Sequence, residues 1–204
     1  MTVTATKPLT PAARRILAVA SELFYSRGIN TVGMELVAER ASVTKKTIYD
    51  RFGSKRELVV AYLRARDERW RAYLTDYLTG AHTPHARVIA TFDALHSWMG
   101  RENPRGCAMV NAYTELADPE HPGRAVAEGQ KRWLRDLLTG FVAQAGADDP
   151  AALAESLAML HEGAVVARSV LGETNAALTA RAAAETLMSA HGIAGDVPRQ
   201  NGQR

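Results

Sequence analysis

The sequence predicts an all-α protein: a small three-helix head at the N-terminus followed by a larger helical body. Three observations lead there. Ala, Leu, Arg and Glu are abundant among the 204 residues, while alternating β-branched runs are scarce. The eight prolines fall mainly at segment edges, where they punctuate helices without breaking them. Apolar side chains also recur at three- and four-residue intervals, the period of a buried helical face.

Residues 1–9 lack apolar periodicity and read as a flexible arm. Thr10 followed by Pro11 is a helix start, a hydroxyl cap and then a proline at the first helical position. Ala13, Ile16, Leu17, Ala20, Leu23 and Phe24 form one face of this first helix, and Gly28 ends it. Two short segments follow, one paced by Val37 and Ala41, the other by Ile48 and Phe52. Ser42-Val43-Thr44 between them is long enough only for a tight turn, and Thr44 caps the second segment. Gly53 stops that segment, and Ser54-Lys55-Arg56-Glu57 reads as a capping box. It opens a long helix, Ser54 to Leu78, striped by Leu58, Tyr62, Leu63, Arg66, Trp70, Tyr73 and Tyr77. Pro, Gly and Asp then bound helices at about 84–100, 104–117, 122–146, 150–171 and 174–191. The last two are Ala-rich and suit close helix–helix approach. The tail, 192–204, is polar and contains Gly and Pro, so it is expected to be disordered. The domains expected are therefore a head over 10–56 and a body over 57–191.

Composition excludes several classes. Residues 1–60 carry a charge balance of +5 and the remaining 144 a balance of −2. A basic first quarter on a near-neutral body is the footprint of a nucleic-acid module joined to something else. The N-terminus has no charged-then-apolar leader, and no apolar run approaches the roughly 18 residues that span a bilayer. A single cysteine, Cys107, rules out an internal disulfide and fits a reducing compartment. A cytoplasmic protein without membrane contact is expected. No Gly-rich phosphate loop, HExxH or nucleophile elbow is present, so no enzymatic activity and no cofactor are expected. His82 and His85 are the only close histidine pair, and Pro84 between them disfavours a helical metal clamp; no metal site is expected.

Two short helices joined by a tight turn form a helix-turn-helix when a third packs behind them. The first helix supplies that support, and Leu36, Val37, Ala41, Val43, Ile48 and Phe52 supply a shared core. The second short segment presents Lys45, Lys46, Thr47, Tyr49 and Asp50 at its exposed, N-terminal side, where a recognition helix meets the major groove. An ordinary bundle would bury Val37, Ile48 and Phe52 equally well, but it has no need of Tyr49 and two consecutive lysines. The run from Ala38 to Leu58, with Thr47, Tyr49, Phe52, Lys55 and Leu58 in register, resembles the DNA-binding signature of the tetracycline-repressor (TetR) family.

The resemblance implies a sequence-specific, double-stranded-DNA-binding transcriptional regulator. Thr47, Tyr49 and Lys55 match positions that hold phosphates; a hydroxyl, a phenol and an ammonium are all competent donors. Thr44 belongs to the same surface. Lys45 and Lys46 replace a small residue of the family pattern, and reach either guanine edges or further phosphates. Ser42 stands where the family has glycine. A left-handed backbone there would cost serine about 1 kcal/mol.

For the body the resemblance is looser, carried by Arg105-Gly106-Cys107-Ala108 with Asn111 and Glu115, and by Glu162-Gly163-Ala164. It implies a helical ligand-binding domain and a homodimer paired through the last two helices, suited to a palindromic operator. Repression relieved by a small, largely apolar or aromatic effector is the expected function. Large or polar residues on helices otherwise built of Ala and Leu are the pocket candidates: Trp70, Tyr73, Phe92, His96, Met99, Met109, Tyr113, Trp133, Met159 and His161. Two alternatives accompany this reading, a regulator without an effector and redox sensing through Cys107.

Overall fold

Thr10 and Pro11 start the first helix as their chemistry dictates. The Thr10 hydroxyl accepts from the Ala13 N–H at 3.3 Å, and Pro11 sits in the first turn, where no donor is required. This helix, α1 (Pro11–Arg27), buries Ala13, Ile16, Ala20, Leu23 and Phe24 and stops at Gly28, whose φ is +91°. After it come α2 (Met34–Arg40), α3 (Lys45–Phe52), α4 (Lys55–Thr79), α5 (Pro84–Glu102), α6 (Ala108–Glu115), α7 (Pro122–Gln144), α8 (Pro150–Leu171) and α9 (Ala176–Ala190). The computed structural model describes residues 9–102, 105–193 and 195, and these nine are the helices among them. Apart from Leu9, the expected N-terminal arm lies outside the described residues, as does the expected tail apart from Gly192, Ile193 and Gly195.

Most boundaries fall within two residues of those expected, and α8 matches at both ends. One differs more. The helix expected at 104–117 is shorter, Ala108–Glu115. Gly106 has φ +80°, a conformation no right-handed helix includes, and a Cβ there would lie 3.0 Å from the Ser169 side chain.

The contacts divide the chain into two compact units. The first holds the described residues up to Asp67 together with Ala108–Glu128; the second holds Glu68–Cys107 and the described residues from Gly129 onward. Compared with the expected division after residue 56, the first unit runs further into α4 and takes in α6. Side chains distant in sequence explain the addition. The Asn30 N–H donates to Glu115 Oε2 at 3.1 Å, and Asn30 Nδ2 donates to the Glu115 carbonyl at 2.8 Å. Arg56 pairs with Asp118 at 2.7 Å and also donates to the Glu120 carbonyl. Arg124 donates to the Tyr113 and Leu116 carbonyls, supplying partners for oxygens at the end of α6 that the helix leaves open.

Within the first unit, Val37, Ala41 and Ile48 are fully buried, whereas Leu36, Val43 and Phe52 are only half-buried. Ile29, Val32, Leu58 and Leu63 complete the core. The turn between α2 and α3 places Ser42 at φ +51°, so serine does occupy the left-handed conformation. Ser42→Gly is expected to raise stability by about 1 kcal/mol, a gain of a few degrees in Tm by calorimetry.

In the second unit, Trp70, Leu74, Phe92, Leu95 and Trp98 pack with Leu134, Leu138, Leu153, Leu157 and Met188. Ala154, Ala164, Ala177, Ala180 and Ala184 let α8 and α9 lie close together. Among the described residues no helix is long and apolar enough to cross a membrane.

Candidate functional site

Thr44 caps α3 by accepting from the Thr47 N–H at 3.1 Å, and the two hydroxyls lie 2.9 Å apart. That cap sets the first turn of α3, so Lys45 and Lys46 project from the helix N-terminus, where amide dipoles already favour an anion. Both lysines are exposed and each holds a carboxylate: Lys45 pairs with Glu35 at 2.6 Å, Lys46 with Asp50 at 2.9 Å. The Lys45 hydrogen bond holds the Glu35 carboxyl below its usual range, and Glu35 in turn raises Lys45. Pairs this exposed contribute little to stability and can be exchanged for phosphates. Tyr49 is 46% exposed, an unusual setting for a large ring. Ile48, on the opposite side of α3, is wholly buried.

Thr44, Lys45, Lys46 and Tyr49 thus lie exposed along one short helix, with Thr47 half-buried beside them. Lys55 differs. It is half-buried at the start of α4, where burial lowers its pKa against the opposing pull of Glu115. Its charge is therefore shared between this surface and the acidic end of α6. Local sequence held no sign of that pairing, since the residues are sixty positions apart.

Eight of the ten expected pocket residues lie in the second unit and two in the first. Trp70, Phe92, Met99 and His161 are buried together in the second unit. Trp70 meets His161 and Trp98 with ring centroids 6.0 and 5.4 Å apart, and Phe92 lies 6.0 Å from His161. Tyr73 is half-buried and donates to Ser97 Oγ at 2.7 Å; the Arg101 guanidinium lies 5.1 Å from its ring. Trp133 is half-buried under Arg71, and His96 is half-buried with its Nδ1 enclosed.

Three residues lie outside this buried group. Met109 and Tyr113 sit on α6 in the first unit, the former in its core and the latter under the Arg124 guanidinium at 3.8 Å. Met159 is 63% exposed and borders a groove of about 680 Å³ along α8 and α9. Helical periodicity places these three on apolar faces but cannot say which neighbour each face meets. Glu115, part of the looser family motif, accepts from the Asn30 N–H.

Sequence reasoning missed a polar cluster inside the second unit. Lys131 Nζ lies 2.8 Å from both Glu162 oxygens and donates to Cys107 Sγ at 3.4 Å. Glu162 Oε1 is 3.7 Å from His161 Nδ1, a charge–dipole contact longer than a hydrogen bond. Burial alone would raise the Glu162 pKa, but His161 and the Lys131 ammonium bring it down to about 2. The lowered value makes this carboxylate stabilising above its ordinary pKa of 4.5, and that contribution is lost as pH falls towards 2. Glu162→Gln strands the half-buried ammonium, and a loss of about 2 kcal/mol at pH 7 is expected, discounted for partial exposure. Denaturant titrations should show a flatter decline below pH 4.5 in the variant.

Residues 16–62 match the domain family described as bacterial regulatory proteins, tetR family, and residues 84–184 match the tetracyclin repressor-like C-terminal domain. A TetR-family transcriptional regulator of known structure from Streptomyces coelicolor superposes with TM-score 0.82 at 30% identity, covering 88% of this chain and 95% of its own. The HTH-type transcriptional regulator YjdC of Escherichia coli is 28% identical over 152 residues, 72% of this chain and 78% of YjdC. The HTH-type transcriptional activator FasR of Mycolicibacterium smegmatis is 44% identical over 106 residues, 52% of this chain and 48% of FasR.

Proposed function

Since the chain belongs to the TetR family of bacterial regulatory proteins, and is therefore a DNA-binding transcriptional regulator and not an enzyme, we propose that it acts as a ligand-released repressor. The reading helix is α3. Thr44, Thr47, Tyr49 and Lys55 hold phosphates, while Lys45 and Lys46 serve phosphates or guanine edges. The observation that carries this assignment is the exposure of Tyr49 and both lysines on a helix whose other side is anchored by Ile48.

One such helix contacts only a few base pairs, so specificity calls for two. Family members typically act as dimers, and exposed apolar side chains support pairing through α8 and α9 here. Met159, Val166, Val170, Leu171 and Leu178 are all at least 40% exposed and all lie on these two helices. Apolar exposure concentrated in this way marks a surface meant to be covered. A two-fold dimer would read a palindrome. A small, largely apolar or aromatic ligand in the second unit would favour a dimer whose two reading helices no longer match the half-sites, and it acts only through its different affinity for the two arrangements.

Redox control through Cys107 has one observation in its favour, the Lys131 ammonium at 3.4 Å. That ammonium is already neutralised by both oxygens of Glu162, which weakens its pull on the thiol and leaves ligand release the better reading.

The test is fluorescence anisotropy with DNA from upstream of the protein's own gene against scrambled DNA at several salt concentrations, alongside size-exclusion chromatography. Saturable, sequence-dependent binding by a dimer is expected. Equal, weak and steeply salt-dependent binding to both DNAs would reduce the interaction to phosphate attraction. A monomer that binds its operator tightly would overturn the dimer.

A further inference from the structure

Resting on the reading of the second unit as an effector site, we propose that the effector is a flat apolar molecule bearing a phenol-type hydroxyl, recognised by Trp70 and His161. Trp70 is 6% exposed and His161 4%, yet the Trp70 Nε1 and both imidazole nitrogens have no hydrogen bond. Buried polar groups are normally paired, so two neighbouring orphans in one core point to a missing shared partner.

The chemistry of that partner follows from the surroundings. Glu162 Oε1 faces His161 Nδ1 at 3.7 Å. In the neutral ring, a carboxylate on that side favours the tautomer with its proton on Nδ1, which leaves Nε2 as an acceptor. Trp70 Nε1–H is a donor only. The group required therefore accepts from the indole and donates to the imidazole, and a hydroxyl does both. A carbonyl cannot donate to Nε2, and a carboxylate would set its charge against the Nε2 lone pair with Glu162 close behind. A hydrocarbon leaves both nitrogens unpaired.

The two rings are direct neighbours, with centroids 6.0 Å apart, and one oxygen about 2.9 Å from each nitrogen spans a nitrogen–nitrogen gap of up to about 5.8 Å. Phe92, 6.0 Å from His161, and Trp98, 5.4 Å from Trp70, make the surroundings of the two nitrogens aromatic and apolar, chemistry that suits an aromatic body on that hydroxyl.

Equilibrium dialysis of the full chain against 2-naphthol, naphthalene and 2-naphthoate tests this. The naphthol is expected to bind at least tenfold more tightly than either comparator. His161→Phe, which keeps a flat buried ring, should bring the naphthol to the level of naphthalene without altering naphthalene binding; Trp70→Phe should do the same. If either variant unfolds, 15N-histidine NMR of the wild type decides, because the His161 Nε2 resonance must shift when naphthol is added and stay still with naphthalene. Equal binding of naphthol and naphthalene would overturn the hydroxyl assignment and assign the nitrogens to water. Tightest binding of the naphthoate would overturn it in favour of an anion site. In both of those outcomes an aromatic ligand still binds, so the effector reading survives. Binding of none of the three would remove the aromatic effector itself and this proposal with it.

Discussion

Tyr49→Ala is expected to weaken operator binding about a hundredfold or more while leaving the melting temperature almost unchanged. The two halves of that expectation rest on one fact, the exposure of the ring. A side chain 46% exposed contributes little packing to the folded state, so its removal should cost less than ~0.5 kcal/mol of stability. Bound to DNA, the phenol becomes a donor to a charged phosphate oxygen, an interaction of about 1.5–3 kcal/mol. A dimer loses it twice, and about 3 kcal/mol corresponds to somewhat more than a hundredfold in Kd. Anisotropy titration and a thermal melt of the same preparation measure both quantities. Lys46→Ala serves as a calibration, because its ammonium is already held by Asp50 at 2.9 Å in the free protein. It should reduce the salt slope by about one per head and weaken binding less. A large fall in Tm with Tyr49→Ala would mean that the ring supports the head and does not read DNA.

Phe92→Ala is expected to cost about 3–5 kcal/mol and to lower Tm by about 10 °C. Phe92 is fully buried and belongs to the core of the second unit, with its ring against His161. Truncation removes the transfer energy of an aromatic ring and leaves a cavity that helices on several sides cannot close. Val110→Ala, on the exposed face of α6, is the contrast and should stay within ~0.5 kcal/mol. Chemical denaturation of both variants checks the pair. A loss near 1 kcal/mol for Phe92→Ala would mean that the core relaxes around the gap, as a site built to admit a ligand would.

The sequence by itself determined the helices and which side chains α3 exposes, because both are written in local chemistry. Thr10, Thr44 and Ser54 cap the helices they precede, each with a hydroxyl accepting from an amide three residues on. The period of the apolar residues set the buried side of α3, and so left Lys45, Lys46 and Tyr49 facing outward. The family resemblance marked Ser42 as standing where glycine is usual, and its φ of +51° is the left-handed conformation that glycine adopts readily. None of these features needs a partner more than a few residues away.

Only the tertiary structure decided which distant groups share an environment. A helical face records that a residue is to be covered, and carries nothing about what covers it. Hence Met109 and Tyr113 proved to belong to the first unit, Met159 to an exposed groove, and Glu115 to Asn30, 85 positions away. The ion pair of Lys131 and Glu162 spans 31 positions, and the short motif that contains Glu162 does not name its partner. The orphaned nitrogens of Trp70 and His161 are the clearest case, since an unmet hydrogen bond exists only once folding has taken a polar group out of water and surrounded it with apolar neighbours.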